Sequence, residues 1–327
     1  MPKPLEVTIT VGTSFSIGGA FENPDKFKPI AERSVLCDGN GLDFMLDTFD
    51  QYKTNASFFI ECANHYYFGD GPMKSIVDKI QAHGQDTQLM INPGWFYYDK
   101  SASYSQNDSC VERDYAELKT IFEKSIAAFK RMTGKKPDAI RTGNCQIDKQ
   151  VYKIMAELDI AISSSIGQGI FRPDGKDMLL YSGRTKVDGI MEVPIFTYSD
   201  KDVMGRFPSK TLQITSCSWP EMKYILEKAR KTGIENIVLV SQPFDYIKKR
   251  DNRYLEITKN RVNQSRLQKL CAYIAEHDQD FTTVDFGSQA DQWKSLEQEN
   301  IKNFKIPTRY RNGRKLQNLI NDLFWNY

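Results

Sequence analysis

Histidine is scarce: His65, His83 and His277 are the only three in 327 residues. They are too few and too far apart for a site built on imidazole ligands. The six cysteines (Cys37, Cys62, Cys110, Cys145, Cys217, Cys271) never form a C-x-x-C pair. That spacing argues against a zinc site or a disulfide frame and fits reduced thiols in the cytosol. No apolar run approaches the roughly 18 residues of a membrane-spanning helix. The start, Met1-Pro2-Lys3-Pro4, leads into a strand with no apolar leader, so the expectation is a cytoplasmic protein without a membrane span. Net charge is +2 with no long Lys/Arg run, which argues against nucleic acid as the main partner.

What is present is enough for a core: 40% of residues are apolar and 12% aromatic. The length suits one α/β barrel with extensions. Leu5–Val11 alternates and is β-branched, predicting a first strand that ends at Gly12-Thr13-Ser14. The Gly/Pro-rich run Phe15–Pro29 predicts a long loop over one end of the barrel. A helix over Leu42–Tyr52 carries a core stripe of Phe44, Met45 and Phe49. Ala56–Glu61 reads as a strand, His65–Asp70 as an aromatic loop, Pro72–Ala82 as a helix and Thr87–Ile91 as a buried strand. That strand ends on a corner, Met90-Ile91-Asn92-Pro93, where α/β folds place their chemistry.

Beyond a second loop (Trp95–Tyr98 and the polar run Ser101–Ser109), an amphipathic helix spans Asp114–Thr133, with Leu118, Ile121, Phe122, Ile126 and Phe129 inward. Gly134 closes it. Strands follow at Ala139–Arg141, Ile160–Ser164, Ile190–Ile195, Ile237–Ser241 and Phe281–Phe286. Helices lie over Asp148–Leu158, Glu221–Thr232 and Val262–Glu276. Repeated strand–helix alternation without a break in composition predicts one distorted (β/α) barrel, not two domains. From Asp291 the tail reads as helical, basic and aromatic (Arg309, Arg311, Arg314, Lys315, Phe324, Trp325).

Seven segments carry a resemblance. Phe15-Ser16-Ile17-Gly18-Gly19-Ala20-Phe21, Asn55–Glu61, Phe68–Met73, Gln88-Leu89 with Pro93-Gly94-Trp95, Ile140–Asn144, Glu192-Val193-Pro194 and Pro243–Tyr246 occur in an order that resembles the NodB-homology polysaccharide deacetylases, across residues 5 to 287. The resemblance implies a (β/α)7-type barrel of glycoside hydrolase/deacetylase kind over 1–290, with a helical extension over 291–327 packed on it. Active members use a divalent metal held by an aspartate and two histidines, a carboxylate base and a histidine acid. The metal polarises an N-acetyl carbonyl and activates water. At the matching windows this sequence has Gly12-Thr13-Ser14, Met90-Ile91-Asn92 and Ser241. Neutral oxygens and a soft thioether are poor ligands for such a cation, so the expectation is no metal and no cofactor.

The candidates that remain are polar or aromatic. Arg141, whose family counterpart pairs with the catalytic carboxylate, would bind an anionic sugar or phosphate, or form an ion pair with Glu61 or Glu192. Asn92, Asn144, Ser241 and Gln242 would bind sugar hydroxyls, or serve turns. Trp95, with Tyr66, Tyr67, Tyr97 and Tyr98, would stack on pyranose rings, or pack locally. Glu61, Glu192 and Asp245 are acids near strand ends, one of which could serve as acid or base if burial raised its pKa. Cys145 reads as a small buried hydrophobe.

Three readings follow. One is a metal-free deacetylase homologue of bacterial surface-polysaccharide (O-antigen or capsule) synthesis that binds a carbohydrate, a sugar-nucleotide intermediate or a partner protein, with self-association open. The second is a metal-independent N-acetyl hydrolase with catalytic residues drawn from Glu192, Asp245 and Arg141. The third is a protein-interaction module that docks through its tail.

Overall fold

The computed structural model describes residues 3–16, 32–97, 108–200, 209–250, 254–302 and 304–324. Most of the expected Phe15–Pro29 loop, Tyr98 with most of the Ser101–Ser109 run, and Trp325 lie outside them. Seven parallel strands form the main run of a nine-stranded curled sheet: β1 (Leu5–Thr13), β2 (Ala56–Glu61), β3 (Asp86–Ile91), β4 (Ala139–Thr142), β5 (Ile162–Ser163), β6 (Ile190–Glu192) and β7 (Asn236–Ser241), in the order β7-β1-β2-β3-β4-β5-β6, with Thr185–Val187 antiparallel beside β6 and Phe281–Thr283 parallel to β1. Each parallel pair needs a crossover, and helices supply most of them. They are α1 (Leu42–Tyr52), α2 (Asp70–Ala82), α3 (Tyr115–Thr133), α4 (Lys149–Glu157), α5 (Trp219–Lys231) and α6 (Arg261–Glu276).

Between β6 and β7 the sheet is completed by irregular backbone. Phe196 N donates to Val238 O at 3.0 Å, Leu212 N to Phe196 O at 2.7 Å and Ile214 N to Val240 O at 3.1 Å. The result is the distorted α/β barrel that the alternation predicts.

Side chains alternate across each strand. On β1 and β2, Val7, Ile9, Val11, Phe58 and Ile60 join the large core beneath the helices. Phe59, Ala139, Ile162, Met191, Val238 and Val240 form a second cluster inside the barrel. There α7 (Phe286–Trp293) adds Phe286 and Trp293 to the cluster, and the Phe286 amide donates to Ser57 Oγ at 2.8 Å.

Several elements differ from the sequence reading. His65–Phe68 is a short helix, not a loop. The last strand stops at Thr283, because Asp285 caps α7 through Ser288 N; it pairs with the start of β1 in line with β2. Ile160–Ser164 and Ile190–Ile195 shrink to two- and three-residue strands. Residues 290 and 291 both lie in α7. α8 (Thr308–Phe324) then packs on α5 and α6: Tyr310 stacks on Tyr224 at 4.7 Å, and Arg266 donates to Gln317 and Asn318 at 2.8 Å each. Among the described residues no helix is long and apolar enough to cross a membrane.

Candidate functional site

At the C-terminal ends of β1, β3, β4 and β7 the barrel opens on a cavity of about 460 Å³. Gly12, Ser14, Phe15 and Ser16 line it from β1, Met90 and Asn92 from β3, and Gly143 and Asn144 from β4. Asp108 enters from the segment before α3; Gln242, Phe244, Lys249 and Tyr254 come from the segment after β7. A cavity of similar size lies at the opposite end, between Leu5, Glu6, Arg184 and Ile234. In α/β barrels that end serves stability, so the mouth is the candidate site.

Each lining amide has a local reason for its place. Asn92 ends β3, and its Oδ1 accepts from Gly94 N at 3.1 Å, fixing the Pro-Gly corner. Gln242 and Asp245 cap each other around the turn Pro243–Tyr246: the Gln242 amide donates to Asp245 Oδ2 at 2.9 Å, and the Gln242 side chain accepts from the Asp245 amide. Asn144 and Cys145 are consecutive residues in the left-handed region, with φ of 52° and 57°. Such backbone costs on the order of 1 kcal/mol or more per non-glycine residue and gathers at functional rims. Here it turns the Asn144 amide toward Asp108 Oδ2 at 3.4 Å. Lys249 lies against Tyr254, Nζ 4.0 Å from the ring centroid and 2.8 Å from its hydroxyl.

Other expected site residues lie elsewhere. Arg141 points into the barrel and not into the cavity; it gives its hydrogen bonds to Ser164 O and Oγ (2.7 Å each) and Thr10 Oγ1 (2.8 Å). It makes no ion pair among the described residues, with Glu61 and Glu192 included, and burial pulls its pKa down to about 10. Trp95 is fully buried against Tyr67 and Phe68, with no face toward the cavity. Ser241 is buried and shares a 2.6 Å hydrogen bond with the Tyr246 hydroxyl. Tyr66 stacks on Phe96, and Tyr97 meets Arg113.

The three acids near strand ends serve the backbone. Glu61 Oε1 accepts from Ala63 N at 2.6 Å and Oε2 from Asn64 N at 3.2 Å; burial still pushes its pKa up to about 8. Glu192 Oε1 accepts from Ser165 N and Ile166 N, and Oε2 from the Tyr152 hydroxyl; burial raises it as well. Asp245 is raised to about 6 by burial, against the pull of the Gln242 amide. None of the three lines the cavity. Burial lifts the Cys145 thiol to about 11, which leaves it inert near neutral pH.

The sequence reading missed Asp108, Phe244, Lys249 and Tyr254. Asp108 sits in a polar run that reads as solvated loop, yet it is 3% exposed. Lys249 and Tyr254 belong to a small hairpin, Ile247–Lys249 with Ile257–Lys259, whose strands are too short to announce themselves.

A divalent ion of the deacetylase type does not fit this lining. At the three windows the side chains are Thr13, Ser14, Met90, Asn92 and Ser241, and among the described residues Asp108 is the one carboxylate in the cavity. Among the described residues no three His, Cys, Asp or Glu side chains are grouped to hold an ion. His65, His83 and His277 sit outside the barrel wall, beside Asp70, Asp50 and the Tyr273 carbonyl.

This architecture is that of the polysaccharide deacetylases. A protein from Mycobacterium smegmatis assigned as a polysaccharide deacetylase superposes with a TM-score of 0.56 at 13% identity, covering 93% of this chain and 97% of its own. A Parabacteroides distasonis protein assigned as a glycoside hydrolase/deacetylase gives 0.55 at 10% identity, covering 89% of this chain and 71% of that one. A CE4 family pseudoenzyme from Bacillus anthracis matches at 0.43 and 9% identity, covering 89% of this chain and 67% of its own. No family model matches the sequence, and no curated protein matches it. At these identities the likeness is one of fold.

Proposed function

We propose that the protein binds a carbohydrate at the barrel mouth and does not carry out metal-assisted deacetylation. The observation that carries this reading is the lining itself: amides of Asn92, Asn144 and Gln242 and rings of Phe15, Phe244 and Tyr254 around about 460 Å³, with a single carboxylate among the described residues. Amides suit vicinal hydroxyls, and aromatic faces suit the C–H faces of a pyranose. A cavity of this volume fits a mono- or disaccharide unit. The deacetylase-type fold supports a ligand from bacterial surface-polysaccharide assembly, as a sugar-nucleotide or glycan intermediate in the cytoplasm. On this reading 291–327 is a helical extension of the barrel domain.

Asp108 favours a second reading, metal-independent amide hydrolysis. It is a buried carboxylate that faces the cavity and, among the described residues, the one acid placed to take a proton from water. Glu61, Glu192 and Asp245 are committed to their own turns.

The test is calorimetric titration with N-acetylated oligosaccharides and sugar nucleotides, with metal analysis and acetate release followed on the same preparation. Saturable binding without stoichiometric metal or acetate supports the first reading. Acetate release that resists chelators and is lost in Asp108→Asn supports the second. Stoichiometric zinc together with chelator-sensitive deacetylation overturns both.

A further inference from the structure

The helix α8 is docked the wrong way round for a soluble protein. Arg314, Gln317, Asn318 and Asn321 follow the i, i+3, i+4, i+7 spacing of one helix face, and that polar face meets the barrel. Arg314 pairs with Asp200 and Glu221, Arg266 donates to Gln317 and Asn318, and Lys248 Nζ donates to the Asn321 carbonyl. Leu316, Leu319 and Ile320 lie on the opposite side and are 59%, 55% and 44% exposed. Arg309, seven residues before Leu316, falls on the same line, and Lys315 flanks it; both are exposed.

The charge around this stripe is mostly positive. From Asn300 to the end of α8 at Phe324 the sequence carries Lys302, Lys305, Arg309, Arg311, Arg314 and Lys315 against one acid, Asp322, in a chain whose net charge is only +2. Arg314 is neutralised within the fold; the other cations of this segment still outnumber its one acid.

We propose that α8 is a membrane-surface helix that seats Leu316, Leu319 and Ile320 among the acyl chains of an anionic lipid leaflet, with Arg309 and Lys315 on the headgroups. An apolar stripe flanked by cations is what such a surface selects. Three side chains cover far less than the roughly 800 Å² per partner of a stable protein interface, which argues against a second copy as the occupant. The polar face cannot take that role, because it is spent on the barrel.

The experiment is co-sedimentation of the full chain with phosphatidylcholine vesicles, with and without phosphatidylglycerol, alongside sedimentation velocity without lipid. Expected is pelleting that requires phosphatidylglycerol, weakens with added salt, and falls roughly tenfold both in Leu316→Gln/Leu319→Gln/Ile320→Gln and in Arg309→Gln/Lys315→Gln. All five positions are exposed, so the variants should keep the parent's unfolding temperature, which is checked in parallel. Failure of the parent to pellet overturns the proposal. So does pelleting that the triple variant leaves unchanged, or a dimer that the triple variant dissociates. Saccharide binding at the mouth is measured separately and does not depend on the result.

Discussion

Arg141 lies over the ring of Phe59, its guanidinium carbon 4.2 Å from the centroid, inside the barrel and beside the Met90 position of the neighbouring strand. All its hydrogen-bond acceptors are neutral. The cation is held by geometry and ring quadrupole, not by a counter-charge, and its pKa falls to about 10 because burial disfavours the charged form.

Replacing Arg141 should therefore separate shape from charge. Lysine keeps the charge but cannot reach Thr10 and both Ser164 oxygens from one planar fork, so Arg141→Lys should lose about 2–3 kcal/mol in urea unfolding. Arg141→Met keeps contact with Phe59 and discards a buried charge, and should lose less than Arg141→Ala, which leaves a cavity. An alanine variant as stable as the parent would remove the structural role assigned here.

Glu61 sets a pH dependence. In the unfolded chain its pKa is near the ordinary 4.5; in the fold burial raises it to about 8. Between those values the folded state holds the extra proton, so stability is full below about pH 4.5 and is lost as pH rises toward 8. Asp245, raised to about 6, adds the same sign over its lower window. The urea midpoint should fall from pH 5 to pH 8, by an amount on the order of a few kcal/mol in stability. Glu61→Gln, which keeps one acceptor oxygen for the Ala63 amide and gives up the one facing Asn64, should flatten most of that slope. A midpoint that rises over this range would contradict the assignment.

The mouth and its supporting wall should respond differently to mutation. Asn92→Ala and Gln242→Ala each remove a hydrogen-bonding amide from the cavity and should weaken saccharide binding about 5–20-fold in calorimetry. Trp95 touches Tyr67 and Phe68 and not the cavity. Trp95→Ala should cost about 3–5 kcal/mol of stability, whereas Trp95→Phe should leave affinity within twofold (roughly 0.4 kcal/mol) of the parent. A Trp95→Phe variant that folds but binds poorly would return the indole to the site.

The strands were legible because their β-branched, apolar runs are bounded by Gly, Pro and Asn, and a buried parallel strand needs little else. Met90 and Asn92 could be placed at the mouth because they end such a strand. Arg141 shows how the same pattern misleads. It also ends a strand, but it shares a face with Ala139, and that face is the barrel interior. Alternation along four residues carries that information only once the inward face is known. Asp108 and Lys249 were out of reach for another reason. Asp108 is buried beside Asn144, 36 residues further on, and Lys249 lies on Tyr254 of a hairpin whose strands are too short to carry a pattern.

Arg314 tests how the last helix is held. Its guanidinium reaches Asp200 and Glu221, both buried, and Glu221 also accepts from the Tyr198 hydroxyl at 2.7 Å and Ser218 N at 3.2 Å. Removing the arginine leaves two buried carboxylates without their cation, a change that costs about 3–5 kcal/mol where pairs of this kind are broken. Because α8 makes most of its barrel contacts through polar groups, the Tyr310–Tyr224 ring contact is the main apolar anchor left among the described residues once the charge balance is lost. Arg314→Met should therefore expose α8 to trypsin at Arg311 and Lys315 well below the temperature at which the barrel unfolds. Adding Glu221→Gln, which removes one of the stranded charges, should restore part of the protection. Equal cleavage rates in Arg314→Met and the parent would mean that the helix is held by something other than this buried pair of acids.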